Sequence, residues 1–92
     1  MLGEGIALLI EGEEILGNSK QRVDIDVERC GDSFEAFLEQ LGSQLHHPDT
    51  EELIPLPHGV SVRFYDVMTR KYMPLVNLGT LRDRMRILVE PS

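Results

Sequence analysis

Hydrophobic and polar positions alternate most regularly at residues 22–28, where Arg22-Val23-Asp24-Ile25-Asp26-Val27-Glu28 changes character at every step. A period of two carried by β-branched residues predicts a strand with one face buried and one solvated. Upstream, Gly5 to Ile10 is an apolar run bounded by glycine and by the polar stretch Glu11-Gly12-Glu13-Glu14, which suits a buried strand better than a helix. A turn at Gly17-Asn18-Ser19-Lys20 lets the two segments form a hairpin, with room for extra strand residues between Glu11 and Lys20.

The period then lengthens. Phe34, Phe37, Leu38, Leu41 and Leu45 fall at i, i+3, i+4, i+7 and i+11, an apolar stripe on a helix of about three turns over residues 33–45. Glu35, Glu39, Gln40 and Gln44 lie mainly on its opposite side. Asp32 or Ser33 offers the N-cap oxygen, Asp32 with Glu35 has the spacing of a capping box, and His46-His47-Pro48-Asp49 stops the helix. Thr50 to Gly59 reads as a proline-containing loop. Val60, Val62 and Phe64 alternate with Ser61, Arg63 and Tyr65 to give a third strand. Met68 to Val76 contains a short fourth strand that Pro74 assigns to an edge, Asn77 to Leu81 is a turn or a single helical turn, and Arg84 to Val89 is the last strand.

A hairpin, a helix crossing the sheet and further strands is the order of an α+β ubiquitin-like β-grasp fold: a mixed four- to five-stranded sheet packed on one main helix. In that layout the first and last strands pair in parallel at the centre, which the apolar Ile6–Ile10 and Ile87–Val89 suit, and the acidic second strand takes an edge, where charge discourages pairing with other chains. The length, 92 residues, is that of a single domain, taken as residues 1–92.

Within this order, Ser33-Phe34-Glu35-Ala36-Phe37-Leu38-Glu39-Gln40-Leu41, Leu56-Pro57-His58-Gly59-Val60-Ser61-Val62-Arg63-Phe64-Tyr65 and Leu78-Gly79-Thr80-Leu81 together resemble the doublecortin domain family. The resemblance spans roughly residues 6–90 and is specific across the middle. It implies a ubiquitin-like fold and microtubule or tubulin binding. The family's Asp-Gly turn after the third strand is replaced by Asp66-Val67-Met68-Thr69-Arg70, and its usually basic first hairpin carries Glu11, Glu13 and Glu14. Ubiquitin-like modifiers end in a Gly-Gly tail. Glu90-Pro91-Ser92 is not such a tail, so the expectation is a domain of a larger protein.

Charge narrows the partners. The formal net charge is −7, which repels nucleic acid and anionic lipid. Residues 1–60 hold thirteen acids and three bases, whereas residues 61–92 hold three acids and six bases. Alternation places Asp24, Asp26 and Glu28 outward as an acidic face. It places Arg63, Tyr65, Arg84, Arg86 and Leu88 outward as a basic, partly apolar patch. Arg and Tyr are the residue types enriched at interface hot spots, and a leucine among arginines is unusual for pure solubility. The expectation is therefore a non-catalytic protein–protein interaction module docking through this sheet face. Tubulin binding is the alternative the resemblance implies, and PB1-like head-to-tail self-association through the opposite charges is a further one, without the acidic cluster of that family.

Other chemistry is weaker. A single Cys30 forms no intrachain disulfide and suits a reducing, cytoplasmic location; with His46 it has no third group to orient a nucleophile pair. Adjacent His46 and His47 on a helix point about 100° apart and do not share a metal ion with Asp49 or His58. The Asp24/Asp26/Glu28 row lacks an evident pocket, and the Gly3–Gly5 and Gly12 positions fit no phosphate loop. No metal, cofactor, nucleic acid or membrane insertion is expected, the longest apolar run being far short of the roughly 20 residues of a span.

Overall fold

A computed structural model describes residues 5–17, 19–47, 50–54, 56 and 59–91. Asn18 of the second turn, Pro48 and Asp49 of the helix stop, Gly3, and Pro57 and His58 of the loop lie outside the described residues.

The chain forms an α+β structure around one mixed five-stranded sheet. The strands are β1 (Gly5–Glu11), β2 (Gln21–Asp26), β3 (Ser61–Asp66), β4 (Lys71–Pro74) and β5 (Met85–Glu90). The helices are α1 (Glu13–Leu16), α2 (Val27–Cys30) and α3 (Phe34–Gly42), and a 3-10 turn covers Leu78–Thr80. The sheet order is β2-β1-β5-β3-β4. β1 runs antiparallel to β2 and parallel to β5, and β3 is antiparallel to both β5 and β4. The first and last strands thus pair in parallel inside the sheet, and β2 and β4 are its edges.

Alternation fixes the faces. Leu8, Ile10, Val23, Ile25, Val62, Ile87 and Val89 turn inward and pack with Phe37 and Leu41 of α3. Among the described residues no fully buried side chain is charged or polar apart from the Cys30 thiol. Beyond α3, Leu45, Ile54, Leu75, Leu78 and Leu81 close the ends of this core. Gly12 is required where the chain leaves β1. A Cβ there would lie 2.1 Å from the Val89 carbonyl oxygen.

Three local expectations are corrected, and of the two N-cap candidates for α3 one is selected. β1 takes in Glu11, and the described residues after it hold the helical turn α1, which buries Leu16, and no further strand before Gln21. β2 stops at Asp26 because the Asp26 carboxylate accepts the Arg29 N–H at 3.3 Å and caps α2, so the alternation through Glu28 is only formal. α3 ends at Gly42, three residues short of Leu45. Leu45 still reaches the core, held by its N–H to Leu41 O and by Ile54 N–H to its carbonyl. The cap of α3 is Ser33, whose hydroxyl accepts the Ala36 N–H at 3.1 Å.

Gln40 and Gln44 are also placed differently from the amphipathic expectation. Each turns toward the free edge of β2 and exchanges a reciprocal amide pair with it. Gln40 bonds the N–H and carbonyl of Asp26 at 2.8 and 3.2 Å, and Gln44 those of Asp24 at 2.9 and 2.6 Å. Gln21 makes the same exchange with the His46 peptide. Two side-chain amides, one on α3 and one in the turn just after it, act as a surrogate neighbouring strand, satisfying groups that an edge otherwise leaves unpaired.

Candidate interaction surface

The sheet face opposite α3 carries Ala7, Leu9 and Glu11 from β1, Arg86 and Leu88 from β5, Arg63 and Tyr65 from β3, and Tyr72 and Pro74 from β4. Register sets their neighbours. Leu9 lies opposite Arg86, Glu11 opposite Leu88, Arg63 between Leu88 and Pro74, and Tyr65 opposite Tyr72. Leu9, Leu88, Tyr65 and Tyr72 are each half-buried, so this face presents aromatic and aliphatic surface to its surroundings.

Its centre is a closed cluster. The Arg86 guanidinium sits 4.9 Å from the Tyr65 ring centroid and 5.9 Å from that of Tyr72. The two rings meet edge to face at 5.2 Å and 63°. Arg86 Nη2 reaches Glu11 Oε2 at 3.3 Å and donates to the Tyr72 hydroxyl at 3.0 Å, and that hydroxyl in turn donates to the same Glu11 oxygen. Lys20 approaches the other Glu11 oxygen at 3.9 Å. Burial, reinforced by the hydrogen bond to Glu11 and by its charge, pushes the Tyr72 hydroxyl above the ordinary tyrosine range, with Arg86 opposing. The cluster fixes two tyrosines and an arginine in one geometry.

The five expected partner-binding residues therefore divide. Arg63, Tyr65, Arg86 and Leu88 share the open sheet face, but Arg86 is half-buried and ion-paired. Arg84 does not belong to this row. It precedes β5 with φ 67°, its N–H bonds Ala7 O at 2.6 Å, and its side chain, 90% exposed, extends beside Asp83 at one end of the sheet. The acidic face is dispersed in the same way. Asp24 stays on β2 and faces Arg22 at 3.7 Å, Asp26 is engaged in capping, and Glu28 sits exposed on α2.

Glu11 and Tyr72 were not singled out by sequence reasoning. The signal for Tyr72 was present: a four-residue connection between Asp66 and Lys71 sets a register that puts Tyr72 across from Tyr65. Nothing in the sequence marks Glu11, which reaches Tyr72 across two intervening strands.

Elsewhere, the Cys30 thiol is buried, accepts a hydrogen bond from Gln40 Nε2 at 3.2 Å, and is pushed up by desolvation and then by the nearby Asp26 charge. His46 and His47 are exposed. Among the described residues no group of three or more His, Cys, Asp or Glu side chains is placed to hold a metal ion, and no helix is long and apolar enough to cross a membrane. No protein-family model, curated protein or solved structure matches the chain.

Proposed function

We propose that this chain is a ubiquitin-like β-grasp domain acting as a non-catalytic protein–protein interaction module of a larger cytoplasmic protein. The strand order with a parallel β1–β5 pair and one main helix over a single face supports the fold assignment. The observation that carries the function is the open face, where the Tyr65–Tyr72–Arg86 platform is held rigid by Glu11 and flanked by Leu9, Leu88 and Arg63. Tyrosine and arginine already fixed in one rotamer lose little entropy on binding, which is how hot-spot residues gain affinity.

The test uses Leu88→Ser with Arg63→Glu, which alter the face and spare the central cluster. Affinity capture from cell extract is compared with the wild type, and thermal unfolding is followed in parallel. Loss of a specific captured protein at unchanged Tm supports the face. Identical capture by both proteins refutes it. Doublecortin-like attachment to tubulin, which the sequence resemblance implies, is tested by co-sedimentation with assembled microtubules, and absence of pelleting at low salt ends that reading.

A further inference from the structure

Charge along the β2 edge is ordered. Lys20, just before the strand, and Arg22, Asp24 and Asp26 on alternate positions within it run as two bases followed by two acids. When β2 lies antiparallel to the same strand of a second copy about a two-fold axis at Val23, Arg22 of each chain meets Asp24 of the other, and Lys20 comes level with Asp26. Moving the axis to Arg22, Asp24 or Ile25 puts like charges opposite each other, which destabilises a strand pair. The Val23-centred register is therefore self-complementary.

The backbone agrees with that register. The Asp24 N–H and carbonyl point out of the sheet edge, since Gln44 bonds both, and by the alternation of an antiparallel strand those of Arg22 point the same way. In the Val23-centred arrangement each Arg22 exchanges two hydrogen bonds with the opposite Asp24, and the Asp26 groups, bonded by Gln40, lie next in line. What stands in the way at Asp24 is one side-chain amide. Gln44 lies in the turn after α3, and its bonds to Asp24 are at the surface. The Arg22–Asp24 contact at 3.7 Å is also at the surface, with both side chains 73% exposed. Gln21, reaching the other way to the His46 peptide, ties down the segment that carries Gln44.

We propose that the Gln44 amide, backed by Gln40, is a guard that keeps this chain from pairing with a second copy of itself through β2. Hydrogen bonds to the freed Asp24 and Arg22 peptides drive that pairing, and the charges select its register. Exposed ion pairs add little, whereas like charges set opposite exclude the neighbouring registers. The Arg22–Asp24 contact within one chain is replaced by the same contact between chains, so neither charge is left unmatched. With the guard in place the Asp24 peptide groups are already satisfied, and the −7 carried by each copy opposes approach. The device belongs to the sheet edge and is independent of the docking face around Leu88 and Arg63.

The test is sedimentation velocity over a concentration series on the full chain, with amide chemical shifts read alongside. Wild type should stay monomeric. Gln44→Ala, and Gln40→Ala with Gln44→Ala, should associate about tenfold or more tightly than wild type, with concentration-dependent shifts centred on Arg22 and Asp24. At dilution, where these variants are monomeric, their Asp24 amide should be unprotected. Adding Arg22→Asp, which sets an aspartate opposite Asp24 of the other copy, should abolish the association, and adding Asp24→Arg as well should restore it. If the double glutamine variant unfolds, Gln44→Ala alone, which leaves the Asp26 pair intact, carries the same test. A folded Gln44→Ala variant that stays monomeric overturns the proposal, as does a wild type that associates equally tightly. Association that survives Arg22→Asp, or that shifts Leu88 and Arg63 in place of β2, overturns it too.

Discussion

Replacing Arg86 by methionine keeps an apolar stem on the sheet but removes the charge that joins Glu11, Tyr65 and Tyr72. The guanidinium makes a partly exposed ion pair worth about 0.2–1 kcal/mol. Its contact with the aromatic faces adds about 0.5–1 kcal/mol, and its hydrogen bond to the Tyr72 hydroxyl about 1 kcal/mol. Glu11, whose side chain is only 15% exposed, is left with the Tyr72 hydroxyl and with Lys20 at 3.9 Å. The expected loss is about 2 kcal/mol, or roughly 10 °C in Tm for a domain of this size. Glu11→Gln alone should cost about 1 kcal/mol, since a neutral amide still meets the tyrosine. The double variant should recover part of the combined loss, giving a coupling energy of about 1 kcal/mol in urea unfolding. Additivity within about 0.3 kcal/mol would show that the two charges do not feel each other and would remove the premise that the platform is rigid. Arg84→Glu is the contrast: at 90% exposure it should leave stability within about 0.5 kcal/mol of the wild type.

Three further outcomes are expected. Gln40→Ala with Gln44→Ala should lower stability by about 1.5 kcal/mol, two lost amide pairs being partly offset at position 40 by alanine's helix propensity. The Asp24 and Asp26 amides should then exchange with deuterium faster, and unchanged protection would refute the surrogate-strand role. Tyr72 has a folded pKa raised above its unfolded value, so its contribution is complete below about pH 10 and is lost as pH rises through the folded pKa. The stability gap between wild type and Tyr72→Phe should therefore narrow in alkaline urea titrations, and a gap that widens contradicts the raised pKa. Cys30, 4% exposed and with a raised pKa, should react with iodoacetamide only as fast as the chain opens; native labelling at the rate of a free thiol would place it at the surface.

The elements legible in the sequence were those where one period dominates. Val23 and Ile25 fixed the inward face of β2, and Phe37 and Leu41 fixed that of α3, because burial of those side chains outweighs local preference. Boundaries failed where a single polar side chain decided them. Asp26 ends a strand by accepting one N–H, and no count of alternating residues reveals which aspartate does so. Gln40 and Gln44 read as solvated because a helical wheel has no knowledge of a neighbouring strand edge. The patch was legible in kind and misplaced in part. Arg63, Tyr65, Arg86 and Leu88 follow from alternation, but the alternation does not extend to Arg84, whose positive φ lies before the start of β5 at Met85.

Why a partner should use the far face follows from what the other surfaces have left to offer. The β2 edge is satisfied at Asp24 by Gln44 and at Asp26 by Gln40, so it has few free amides to present to an incoming strand. At β4 the Leu75 N–H bonds Val62 O at 3.0 Å, and peptides alternate along a strand, so Met73 also turns toward β3 while Tyr72 and Pro74 face outward. Of those two only Tyr72 has an N–H, which blunts this edge as well. The inner face is occupied by α3. What is left is side-chain surface, with the fixed tyrosine–arginine platform at its centre. Recognition by such a domain runs through side chains, so it should respond to single substitutions at Leu88 or Arg63 more than to any change that lengthens or shortens an edge strand.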